Sequence, residues 1–130
     1  MAVSSSVAPW NLRMPAGSAQ AWTFTLTTQT DAGYFPYPVG AATWEYVARI
    51  SPTDTSIPLF SVTTALTANG EITAVTSAVL SQVMLAISAT ATAAITPGTY
   101  YHCLWMNPGT ASALAVFDGN LLIAGAPIPY

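Results

Sequence analysis

"TPGTYYHCLWMNPG", residues 96–109, reads as a strand held between two Pro-Gly turns. A strand that covers a core on one side alternates apolar with polar side chains. Here Tyr100, His102, Leu104 and Met106 share one face, and Tyr101, Cys103 and Trp105 share the other. Neither face is made for water, so the second one needs a covering surface.

The same period recurs outward from this segment. In "AWTFTLTTQ", Trp22, Phe24 and Leu26 point one way and threonines the other. "TWEYVARI" places Trp44, Tyr46, Ala48 and Ile50 on one face and Glu45, Val47 and Arg49 on the opposite one. "TDAGYFPYPVGAA" and "SPTDTSIP" read as loops, because their prolines forbid a central ladder. "ANGE", residues 68–71, carries the Asn-Gly pair of a tight hairpin. A strand over 80–87 and a turn-like segment over 88–96 follow, with a helix within 78–95 as the alternative. The Asp118-Gly119 pair marks a bend between two closing strands. This pattern predicts an all-β fold, an antiparallel Ig-like β-sandwich of seven or eight short strands over residues 20–130. Residues 1–19 lack periodicity, contain two prolines and read as an extended N-terminal arm. Trp10, Leu12 and Met14 make that arm too apolar to hang free.

Of the 130 residues, 52% are hydrophobic and only 5% charged, against about 25% charged in an average soluble domain. There is no lysine, and the only positive side chains are Arg13 and Arg49. So few charges suit a subunit covered by neighbours better than a solitary domain. With a net charge of -3 the chain lacks the basic cluster that nucleic acid requires. No strongly apolar run approaches the length of a membrane span, and the first residues lack the basic-then-apolar pattern of a signal peptide. The reading is therefore no nucleic acid and no membrane.

Groups able to do chemistry are sparse. One histidine, His102, and five carboxylates (Asp31, Glu45, Asp54, Glu71 and Asp118) are scattered singly. His102 and Cys103 are adjacent on a strand and so face opposite ways, which does not make a zinc site. His102 sits among large apolar residues and reads as a packing residue rather than a general base. The expectation is no enzyme, no catalytic residue, no metal and no cofactor.

The order of motifs carries a resemblance. A first alternating strand, "DAGYFPYPVGAAT", "WEYVAR", "NGEI", "ITPGTYYHCLW" and a closing "DGNLLIAG" follow one another over residues 20–125. This order resembles the N-terminal domain of siphophage baseplate upper proteins, a set of tailed-phage virion proteins. The resemblance implies an Ig-like structural or adaptor module of the virion, without an active site. It also implies that Tyr100, His102 and Leu104 form the core face. Tyr101, Cys103 and Trp105 would then face outward, covered by a neighbouring subunit or by the chain's own arm. Trp10, Leu12, Met14, Tyr101, Cys103 and Trp105 are accordingly the candidate interface residues of a homo-oligomer docked to other virion proteins. A tail, baseplate or fibre-attachment module is the expected function. A capsid decoration protein is the alternative within that class, and a carbohydrate- or peptide-binding β-sandwich the alternative outside it.

Overall fold

Alternation becomes sheet wherever one face finds a core, and a computed structural model shows where each face lies. It describes residues 8–30, 33–36, 42–76 and 81–125. In chain order the elements are β1 (Ala8–Pro9), β2 (Leu12–Pro15), β3 (Gln20–Thr25), β4 (Thr27–Thr30), β5 (Gly33–Pro36) and β6 (Trp44–Arg49). They continue with β7 (Phe60–Thr63), β8 (Gly70–Thr76), β9 (Ser81–Ile87), the short helix α1 (Ala89–Ala93), β10 (Gly98–Met106) and β11 (Leu114–Ala124).

The larger sheet runs β1-β11-β10-β6-β7, with β2 also on β11, and the smaller runs β3-β9-β8. Between them lies one core. Tyr46, Leu104, Phe117, Leu121 and Ile123 enter it from the larger sheet, and Ile72, Val83, Leu85 and Ile87 from the smaller. The fold is an all-β sandwich. Its strands pair antiparallel except where β1 and β2 run parallel to β11. The predicted faces hold in the central strands. Trp44, Tyr46, Ala48, His102, Leu104 and Met106 are all buried, and Trp22 and Phe24 pack against the same core.

Several expectations are corrected. From residue 8 onward the arm is not separate from the sandwich: β1 and β2 complete the larger sheet beside β11. Leu12 and Met14 point inward at strand spacing, and Met14 is 0% exposed. Residues 33–36, read as loop, form β5 and pair with β4. Pro36 is tolerated there because it sits at the end of a two-stranded ribbon. Ile50 is not a core residue. The strand stops at Arg49, and Ile50 is 62% exposed. The segment 88–96 contains a single helical turn, α1.

The hairpin at 67–70 exists, but its central residues are Ala68 and Asn69, closed by Thr67 N–H donating to the Gly70 carbonyl at 3.0 Å. Gly70 instead begins β8 with φ +133°, where a Cβ would lie 1.9 Å from the Ala86 carbonyl oxygen. Asp118 and Gly119 make no bend either. They sit within the eleven-residue β11, whose irregularity is a bulge near Val116, where the register with Leu104 and Trp105 shifts.

Candidate functional site

Gly119 is where the arm is fastened. It stands opposite His102 on β10, and a Cβ at that position would meet the Trp10 carbonyl oxygen at 2.2 Å. The missing side chain lets the arm's backbone press onto β11 and lets the imidazole reach across to it. The Trp10 N–H donates to the Asp118 carbonyl at 2.8 Å, and the Asn120 N–H donates to Asn11 Oδ1 at 2.9 Å.

His102 closes the fastening. Its Nε2 lies 2.6 Å from the Trp10 carbonyl oxygen, and its Nδ1 lies 3.0 Å from the Tyr46 hydroxyl. A carbonyl can only accept, so Nε2 carries the hydrogen. The neutral ring then accepts at Nδ1, and the Tyr46 hydroxyl donates. Burial pushes the His102 pKa below its ordinary value, against the weaker opposing pull of the Trp10 carbonyl and Asp118. Burial likewise pushes the Tyr46 ionisation upward, so that its proton stays in place. The Trp10 ring stacks near His102 at 5.4 Å between centroids and meets Phe117 edge-on at 4.6 Å. His102 therefore has both nitrogens engaged, Nε2 on the arm and Nδ1 on Tyr46 of β6.

The opposite face of the larger sheet carries the outward residues. Across it, Trp105 pairs with Glu45, Cys103 with Val47, and Tyr101 with Arg49. On the β11 side, Cys103 stands beside Asp118. The Tyr101 hydroxyl donates to Asp118 Oδ2 at 3.1 Å, and desolvation raises its ionisation. Cys103 is 1% exposed. Burial, then the neighbouring Asp118 charge, holds its thiol protonated, with a pKa pushed up to about 12. A thiol in that state is a packing group.

The six candidate interface residues thus separate. Trp10, Leu12 and Met14 are held within the chain's own sandwich, on the core side rather than over the outer face. Cys103 and its neighbour Val47 are buried on the outer face. Tyr101 and Trp105 remain half-buried at the surface. Of the candidates, Met14 and Cys103 are buried within the single chain, at 0% and 1% exposed.

Two surface features were missed in the sequence. The first is apolar. Ile50 and Ile57 (90% exposed) lie on the β6–β7 connection, and Leu66 (77% exposed) lies on the β7–β8 connection. They flank β7, the edge strand of the larger sheet. The Ile57 loop is held in shape by Asp54, whose Oδ1 accepts from the Ser56 N–H at 3.0 Å and the Ser56 hydroxyl at 2.7 Å. Those bonds lower the Asp54 pKa. The Arg49 guanidinium also donates to the Ser56 carbonyl. An isoleucine set between serine and proline in a loop is the signal that could have flagged this knob.

The second feature is a groove of about 280 Å³ between the sheet's outer face and the 108–113 loop, lined by Glu45, Val47, Arg49, Trp105 and Thr110 among others. Among the described residues no group of three metal-ligating side chains comes together. No protein-family model matches the chain, and no curated protein matches it.

Proposed function

We propose that this protein is a non-enzymatic structural subunit of a tailed-phage virion, a tail, baseplate or fibre-attachment module that works by self-association and docking. The observation that carries the reading is the exposure of Ile50, Ile57 and Leu66 around the edge strand, in a chain with only seven charged side chains to keep it apart from its neighbours. Isolated exposed apolar residues are common, but three of them on the connections either side of an edge strand suit an assembly contact. Burying each contributes roughly 1.5–3 kcal/mol before ordering costs. The commitment of His102 to holding the arm, and the order of motifs, support a structural role in the same direction.

The test is a pair of charge insertions, Ile57→Lys and Leu66→Lys. Both side chains are solvated in the subunit, so each variant should melt within about 0.5 kcal/mol of the parent. Sedimentation velocity should show the parent self-associating and the double variant monomeric. A parent that stays monomeric at high concentration overturns the reading. Mass spectrometry of the source particle then supplies the copy number that distinguishes tail from capsid.

A further inference from the structure

The groove beside Trp105 shares Arg49 with the loop contacts above, and its chemistry is specific. Glu45 and Arg49 lie on the same face of β6, four residues apart, which is about 13 Å at strand spacing. Val47 floors the space between them, and Trp105 stands across from Glu45. The outer wall is the loop after β10, and it is held by hydrogen bonds. Asn107 takes φ 52° and exchanges two bonds with the Thr43 backbone, at 2.7 and 3.1 Å. The Thr110 hydroxyl donates to the Asn107 carbonyl at 2.8 Å and accepts from the Ser112 N–H at 3.2 Å. Arg49 is positioned by the Ser56 carbonyl. The site is therefore built before any ligand arrives, which lowers the cost of binding.

We infer that this groove binds neutral pyranose units of a glycan chain. The two charges lining it are of opposite sign and lie at opposite ends, so a ligand of either net charge is drawn to one end and repelled from the other. Carboxylate and guanidinium groups at the two ends suit the paired hydroxyls of a sugar ring, and an indole beside them suits its apolar face. The volume of about 280 Å³ is at the small end of ligand sites. A peptide fits less well. The groove lies across the face of β6 and β10, whose backbone groups are already spent on their mutual ladder, so no strand can be added there.

The experiment is a fluorescence and calorimetric titration of the intact chain with glucose, cellobiose, maltose and chitobiose, then with the corresponding tetrasaccharides. Saturable binding is expected for at least one disaccharide, with no further gain beyond the length the groove spans. Trp105→Ala should weaken it at least about tenfold, Trp105→Tyr should restore most of it, and Glu45→Gln should weaken it with the melting temperature unchanged. Absence of saturable binding across the panel overturns the inference, as does binding that survives Trp105→Ala or binding of an unrelated peptide at the same site in place of sugars. The assembly reading is judged separately. The Ile57→Lys/Leu66→Lys variant should still bind sugar, and Trp105→Ala should still self-associate.

Discussion

Gly119→Ala is the substitution that most directly tests the fastening of the arm. On sequence grounds alone, alanine for glycine within a strand should help, by about 0.4–1 kcal/mol through the unfolded chain. The structure reverses the sign. The new methyl would sit 2.2 Å from the Trp10 carbonyl oxygen and 2.7 Å from its carbon, both backbone atoms. To reach ordinary contact the arm must retreat by about 1.2 Å. That shift breaks or stretches three hydrogen bonds: Trp10 to Asp118, His102 to Trp10, and Asn120 to Asn11. At about 1 kcal/mol net for each, the loss is about 3 kcal/mol, and partial wetting of the Trp10 ring adds to it. Urea denaturation should register this as a lower midpoint at unchanged slope. Hydrogen exchange should show Trp10–Met14 losing protection while β6 and β10 keep theirs. A variant as stable as the parent, with the arm equally protected, would refute the close approach and the clamp built on it.

Two further outcomes follow from groups inside the sheet. Because the core holds His102 neutral with a lowered pKa, protons bind the unfolded chain first, and stability should fall as pH drops from about 6.5 through the folded pKa. His102→Leu should be less stable at neutral pH and should lose that part of the pH dependence, measured by denaturation at pH 7 and pH 5. Cys103, buried with its thiol pushed up to about 12, should react with a disulfide reagent only as fast as the protein opens. Labelling that is complete within seconds in the native state, as in denaturant, would place the thiol at the surface.

The central strands were legible because their apolar residues recur at every second position, and one buried face was enough to fix which side is which. Even Trp10, Leu12 and Met14 keep that spacing, but the surface that completes them is β11, more than 100 residues away in the chain. A local pattern cannot name so remote a partner, so the segment read as an arm. Gly119 misled for a related reason. A glycine in an apolar run signals either a bend or a close approach, and only the position of Trp10 decides between them. Cys103 was assigned to the outward face, and it is on that face. Flanking Tyr101 and Trp105 side chains and the facing Val47 leave it little access to water, and strand parity carries no information about such lateral shielding. The groove was hidden because Glu45 and Trp105 are 60 residues apart and meet only through the register of β6 with β10.

The parallel pairing of the arm with β11 also sets an order of events as the chain is made. Residues 12–15 take as partners residues 121–124, so β2 is completed only by a strand synthesised more than 100 residues later. Until then Trp10, Leu12 and Met14 have no sheet to join, and the core lacks the side chain of Met14. Closing a loop of that length costs entropy that grows only slowly with its size, but that cost must be met before the contacts form. The larger sheet therefore acquires one edge after the rest can already have collapsed. For that interval, the interior that His102 later seals stays open beside β11.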